Sequence, residues 1–309
     1  MNFAGPAPDP AWVALSLIDH LGGKKLRALV THFNGDLDAV LSADAGALRR
    51  VPGIGPKIAA AIQAVDQEAV AARIPRWQAA GVRIVTLDDP AYPPALRALD
   101  DAPPTLFIIG DWRPPMRTVA LVGTRQPSAA ARAATETLAC ALAERGVTLI
   151  SGLALGIDAA AHLGALALPG GRTIAVLGSG VLNIYPPEHR ALARAIAARG
   201  ALLSEVDPQA AARTPALVAR NRLISGLSDA LVVIESAIDG GAMHAAARAF
   251  EQGRRVYALE SRASGNRALI EAGAIALAPD ALEAAAAQIS RSSDAPASLD
   301  QDTNSDRSG

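Results

Sequence analysis

Residues 147–162 read VTLISGLALGIDAAAH. An apolar run ends in Ser151 and Gly152, a short loop carries a second glycine, Gly156, and a helix-like stretch opens at Ile157. Strand, glycine-bearing turn and helix form the unit that builds a parallel sheet, because a parallel crossover needs a returning helix. The unit recurs from residue 118. Strand-like runs fall at 118–123, 147–152, 173–180, 201–206, 230–236 and 254–260, with helix-like stretches at 128–145, 157–168, 188–199 and 242–252 between them. Near-continuous apolar strands alternating with helices predict an α/β fold whose doubly wound, mostly parallel sheet is covered on both faces.

Upstream the pattern changes. Residues 9–72 read as short helices at 11–20, 24–32, 37–48 and 56–71, separated by turns such as Gly22-Gly23 and Asn34-Gly35. Residues 73–115 hold RIVTLDD, AYPPALRAL and DAPPTLFIIGD, and seven of the 21 prolines fall between Asp89 and Pro115. That stretch is expected to be an extended connection with short strands. Residues 289–309 are rich in serine and aspartate with one leucine, and are expected to be disordered. A chain of 309 residues suggests about two domains. The division expected is 1–72 helical, 73–288 sheet domain with 73–117 as its N-terminal extension, and 289–309 tail.

Composition excludes several classes. Net charge is −1, so any basic surface must be local. Lysine occurs only at 24, 25 and 57; the other 26 basic residues are arginines, which suit bidentate phosphate contacts but also fit a general alanine and arginine bias. One cysteine, Cys140, excludes an intramolecular disulfide and a cysteine-rich zinc site. No secretory signal is expected, and there is no apolar run near the ~20 residues of a membrane span, no phosphate-loop motif and no HExxH pair. A soluble cytoplasmic protein without metal or cofactor is expected. Gly178-Ser179-Gly180-Val181-Leu182-Asn183 begins like a dinucleotide fingerprint but ends in asparagine.

In such a sheet, ligands sit outside the carboxyl ends of the strands. Gly123, Ser151, Gly152, Ser179, Gly180 and Ser204 follow strand ends. They are candidate phosphate contacts, since glycine lets backbone N–H groups approach an anion, although βα turns need glycine anyway. Residues 208–228 carry Arg213, Arg220 and Arg222 and no acid, with Asn221 between two guanidiniums. Arg125, after the first strand's glycine, lies on the same expected rim. Asp158 and His162 share a helix face. A metal pair would need further ligands, and none is evident nearby. The structural reading has Asp158 satisfying N–H groups in the first helical turn and pairing with His162.

Near the N-terminus, LRRVPGIGPKIAAAI (48–62) matches the spacing of a helix-hairpin-helix. The turn from Gly53 to Gly55 and the next helix start can offer N–H groups to a DNA phosphate, with Lys57 as a point charge. The same hairpin also serves as a protein-binding or purely structural element.

With those residues in view, the chain resembles the DNA-processing protein A family (DprA/Smf). The blocks that carry the resemblance are Tyr92-Pro93 with APPTLFIIGD (102–111), LVGTR (121–125), SGLALGIDAAAH (151–162), GRTIAVLGSGVLNIYP (171–186), LLSEV (202–206), RNRLISGLS (220–228), LVVIES (231–236) and GNRALIEAGA (265–274). The resemblance implies an extended Rossmann-like domain preceded by a small all-α helix-hairpin-helix or SAM-like domain. It implies a non-enzymatic protein that binds and protects single-stranded DNA, dimerises through late helices of the Rossmann-like domain, and loads the RecA recombinase in natural transformation or recombination. Carried over by motif, Arg125, Ser151, Gly152, Gly156, Arg220, Asn221 and Arg222 are expected DNA contacts, and the strand-end and basic-stretch reading adds Gly123, Ser179, Gly180 and Arg213 to them. Gly53, Gly55 and Lys57 are a second candidate set, and Asp158 and His162 hold the loop.

The chain also departs from the family pattern. Leu217-Val218 stands where the family has Phe-Pro before the RNR block, so a base-stacking ring is missing there. DGGAMHAA (239–246) replaces a Ser-Gly-Ser-x-x-Thr-Ala turn, Glu260-Ser261 replaces Pro-Gly, and a C-terminal winged helix is not expected. Two other readings stay open. One is a Rossmann-like nucleotide-binding or scaffold protein with weakened DNA affinity. The other is a phosphoribohydrolase-like enzyme, whose Pro-Gly-Gly-x-Gly-Thr loop this chain lacks.

Overall fold

The computed structural model describes residues 7–113 and 115–292. Six helices come first: α1 (Pro10–Ser16), α2 (Gly23–His32), α3 (Leu37–Ser42), α4 (Ala45–Arg49), α5 (Pro56–Gln63) and α6 (Gln67–Ala79). Two of the expected helices are each split in two. The break falls at an aspartate both times: the Asp44 carboxylate accepts from the Ala47 N–H, and that of Asp66 from the Ala69 N–H. An N-cap carboxylate is worth about 1 kcal/mol to the helix it starts, so each aspartate begins a new helix.

The sheet follows. Its elements are β1 (Arg83–Thr86), α7 (Pro94–Arg97), β2 (Thr105–Gly110), β3 (Thr118–Val122), α8 (Ala129–Glu144), β4 (Thr148–Ser151), α9 (Ile157–Leu166), β5 (Thr173–Leu177), a 3-10 turn at Pro187–His189, and α10 (Arg190–Arg199). Then come β6 (Ala201–Ser204), α11 (Thr214–Ala219), α12 (Asn221–Gly226), β7 (Ala230–Val233), α13 (Gly241–Glu251), β8 (Arg255–Leu259), α14 (Ser264–Glu271), β9 (Ile275–Leu277) and α15 (Leu282–Ser292). The nine strands are ordered β1-β2-β6-β5-β4-β3-β7-β8-β9. β3 to β9 run parallel, whereas β2 pairs antiparallel with both β1 and β6. Residues 73–115 thus contribute the edge strand β1 and its inner neighbour β2 to the main sheet.

Each central strand is buried on both faces, and alternate residues serve different layers. Val119 and Leu121 of β3 pack in the layer with Leu138 and Leu142 of α8 and with Ala286 and Ile289 of α15. Ala120 and Val122 pack in the opposite layer with Leu223 and Ile224 of α12 and Ala245 of α13. That second layer continues into Trp12, Leu26, Leu48 and Ile62 of the N-terminal helices.

Two expected boundaries shift. The division at 72/73 falls inside α6, which is anchored on the sheet: Trp77 packs edge-on against Phe107 of β2, with ring centroids 5.6 Å apart. Arg73 stacks over Trp77 and pairs with Asp207. The expected tail begins too early, because residues 289–292 complete α15 and Ile289 is fully buried. The remainder of that tail, 293–309, lies outside the described residues. Strand β9 was not anticipated; two of its three residues are exposed, so it carries little hydrophobic signal.

Candidate nucleic-acid interface

Chain order runs outward from β3 through β4 and β5 to β6, then returns to the other side of β3 as β7. Loops leaving β3 and β7 therefore diverge to opposite faces, and a crevice opens above them. It is a cleft of about 440 Å³ lined by Gly123, Thr124 and Arg125 after β3 and by Ala154 and Asp158 after β4. Ser236, Ala237, Gly240 and Gly241 after β7 form the far side, and Tyr185, Thr214, Leu217 and Val218 close the top.

Backbone bonds knit the three exit loops together. The Thr124 N–H donates to the Glu235 carbonyl (2.7 Å), and the Ile157 N–H at the start of α9 donates to the Thr124 carbonyl (3.1 Å). Gly156 sits between them at φ +79°, where a side chain would be strained. A Cβ there would meet the Thr124 carbonyl and stand 2.7 Å from the Arg125 carbonyl. The β7 exit is held by Asn266, whose Oδ1 accepts from the Ser236 N–H (2.9 Å) while its Nδ2 donates to the Leu259 carbonyl (2.8 Å) and the Ile234 carbonyl (2.9 Å).

Arg125 is exposed on this frame and makes no ion pair with the described residues. Arg220 is different, because its side chain lies beneath the cleft floor. It donates to the Gly152 carbonyl and to the Val176 carbonyl (2.8 Å), and stands 3.8 Å from the Asp158 carboxylate. Burial works against its charge, Asp158 supports it, and nearby Arg125 opposes it. Arg222 pairs with Glu205 and with Asp101 (3.4 Å). Both arginines were expected on the rim; the first is inside and the second is neutralised by two carboxylates.

The expected backbone donors are mostly occupied. The Gly152 N–H donates to Asp158 (3.1 Å), and the Gly180 N–H to the Ala210 carbonyl (2.9 Å). Ser151 is buried, with its hydroxyl on the Leu121 carbonyl (2.7 Å), and Ser179 is buried too. Asn221 is buried at the cleft floor and donates to the Gly241 carbonyl (3.3 Å). Arg213 is exposed but lines a separate hollow with residues of the α1–α2 turn. Of the expected contacts, Gly123 and Arg125 reach the open cleft, Gly156 shapes it, and Arg220 and Asn221 support it from below.

Asp158 and His162 also change partners. Asp158 accepts from the N–H groups of Gly152 and Ala154 (3.3 Å), bracing the loop ahead of its helix. Burial pushes its carboxyl above the usual range, and Arg220 pulls it back. His162 turns instead to Thr173, with Nδ1 and Oγ1 2.7 Å apart. The Thr173 hydroxyl proton goes to the Leu149 carbonyl (2.9 Å), so Oγ1 accepts and Nδ1 of His162 carries a proton. Burial, with the charges of His189 and Arg220, pushes His162 down to about 3. Among the described residues no group of three or more His, Cys, Asp or Glu is placed to hold a metal ion.

The N-terminal hairpin has short α4, a turn and α5. Gly53 takes φ +83°, Gly55 caps α5, and Lys57 is exposed, while Ile54, Ile58 and Ile62 are buried.

Tyr185 and the 236–241 turn went unassigned in the sequence. The signal for the turn was its position after β7; for Tyr185 it was an aromatic in a strand-exit loop.

This architecture defines a class, a Rossmann-like protein with an arginine-bearing cleft at the switch point of its sheet. The family model described as DNA recombination-mediator protein A matches residues 83–286, from β1 into α15, and the chain belongs to that family. Protein Smf of Synechocystis is 36% identical over 254 residues, which are 80% of this chain and 63% of that protein. The chain thus spans a little under two thirds of that relative's length. The solved structure of DNA processing protein A from Streptococcus pneumoniae superposes with a TM-score of 0.72 at 28% identity, covering 88% of this chain and 95% of that one. A structure of the Helicobacter pylori protein, described for its single-stranded DNA binding mode, superposes with a TM-score of 0.61 at 30% identity, covering 67% and 95%. Among the described residues no helix is long and apolar enough to cross a membrane.

Proposed function

We propose that the switch-point cleft grips the phosphate backbone of single-stranded DNA, and that the chain acts without a catalytic step as a mediator that protects the strand and loads RecA onto it in the cytoplasm. The observation that carries this reading is the exposed Arg125, free of any ion pair with the described residues, at the mouth of the cleft. A guanidinium so placed offers forked donors to a phosphate and gains affinity by releasing counterions. Membership of the recombination-mediator family supports the same partner. The helix-hairpin-helix turn at Gly53, Gly55 and Lys57 is a second backbone contact in this reading, and the active species is a homodimer.

Fluorescence anisotropy with labelled oligo-dT at two salt concentrations tests the reading. Binding should weaken steeply with salt and be weaker for duplex. No binding at low salt would sink it. A second reading is favoured by the cleft's volume, which falls within the range of small-ligand pockets: a mononucleotide site. Free nucleotide that binds the chain while oligo-dT does not would select it.

A further inference from the structure

Two aromatic side chains among the described residues are more than a third exposed, Tyr185 at 43% and Phe250 at 40%. Tyr185 lines the cleft together with Arg125 and Leu217; Phe250 does not. Tyr185 also lines a notch beside it with Arg125, Leu155 and Leu217. An exposed ring that shares a cleft with the Arg125 guanidinium and with apolar Leu217 and Val218 offers a surface that water solvates poorly. A flat apolar partner carrying a phosphate matches it.

The loop that carries the ring is also held firmly. Its loop is tied to the β6 exit by Gly180 N–H to Ala210 O (2.9 Å) and Leu182 N–H to Pro208 O (2.8 Å). The buried Pro186 follows, and His189 donates from Nδ1 to the Leu153 carbonyl (2.8 Å), joining this loop to the β4 exit. A platform fixed before binding loses little entropy when a base settles on it.

We infer that Tyr185, with Leu217 in the same cleft wall, forms a nucleobase subsite beside the Arg125 phosphate subsite, so that the cleft takes one unpaired base together with its backbone. This rests on reading the cleft as a single-strand site. The subsite has a π-face but no assigned hydrogen-bond code, so it accepts any base and rejects paired ones. The π-face of a paired base is covered by its neighbours.

The test compares labelled dT15 with an abasic strand of equal length, using the full chain, Tyr185→Ala, Tyr185→Phe and Phe250→Ala. Tyr185→Ala should weaken dT15 binding by roughly 5- to 150-fold, the range of a lost base stack. It should bind the abasic strand like wild type, with an unchanged salt slope, and Tyr185→Phe and Phe250→Ala should retain dT15 binding. Equal dT15 affinity for Tyr185→Ala and wild type overturns the subsite alone, as does an equal loss on both strands. No binding of either strand by wild type at low salt overturns the strand reading and the subsite with it. Should Tyr185→Ala fail to fold, photocrosslinking of a bromodeoxyuridine strand to the wild-type chain gives the same decision. Crosslinks on the peptide containing Tyr185 support the subsite, and crosslinks confined to other peptides overturn it.

Discussion

The guanidinium of Arg220 lies beneath the carbonyl of Gly152 and hydrogen-bonds to it, with Asp158 3.8 Å away. A residue that looks in sequence like a surface cation is thus a pillar of the loop it was expected to accompany. Replacing it leaves a buried carboxylate without its counter-charge. Arg220→Ala should cost roughly 3–5 kcal/mol of stability, the usual result of breaking one half of a buried pair. Chemical denaturation at neutral pH measures it. A loss under about 1 kcal/mol would mean that the guanidinium is not engaged as described.

Arg125 should behave in the opposite way. Arg125→Ala removes an exposed, unpaired side chain and should leave stability within about 0.5 kcal/mol of wild type. On oligo-dT its plot of log affinity against log salt should flatten by about 0.7 for each phosphate that the guanidinium neutralises. An unchanged slope would move the phosphate subsite elsewhere.

Gly156 joins fold to function. At φ +79°, with the Thr124 and Arg125 carbonyls where a Cβ would project, it has no room for a methyl group. Gly156→Ala should cost more than about 2 kcal/mol, and the relaxation should push the 124–125 turn out of place. Both the melting temperature and oligo-dT affinity should fall. A variant that melts lower yet binds normally would separate the turn from the site.

His162 makes stability depend on pH. Its folded value, about 3, lies below the ordinary 6.5, so the unfolded chain binds the extra proton. The stabilising effect is complete above about pH 6.5 and is lost as pH falls toward 3. Between pH 7 and pH 5 the loss from this group is about 2 kcal/mol. Asp158 and Glu205 lean the other way, since burial raises both carboxyls. The informative quantity is therefore the difference from His162→Gln, which should lose about 2 kcal/mol less than wild type over that interval. Parallel stability curves for the two proteins would show that the histidine is not buried neutral.

Much of the fold was legible because burial on both faces writes strands such as TVALV (118–122) as unbroken apolar runs. All six central strands appear, each ending one to three residues early, and all but β6 where a glycine- or serine-bearing exit begins. The antiparallel seat of β2 on β6 was not legible, because nothing in a strand's composition names its neighbour. The site was harder. Arg125, Arg220 and Arg222 look alike in the chain, yet Asp158 claims one, Glu205 and Asp101 claim another, and the third makes no ion pair among the described residues. Partners 62 and 17 positions away, counted from 158 to 220 and from 205 to 222, make that distinction, and only the folded chain brings them together. Tyr185 went unassigned for the same reason: exposure depends on what the sheet's exits leave uncovered.

Helix α6 runs through the junction between helices and sheet, with Trp77 against Phe107 and Arg73 against Asp207. Its consequence is cooperativity. The two regions share one apolar layer, so neither can melt while the other keeps its core. Heating should give a single calorimetric transition, with the emission of Trp12, Trp77 and Trp112 shifting at the same temperature as the far-ultraviolet signal of the sheet. Two resolved transitions would mean that the helices are a detachable module. If there is one, strand capture at the switch point and any contact made by the N-terminal hairpin draw on the same reservoir of stability, and a ligand at either place protects both.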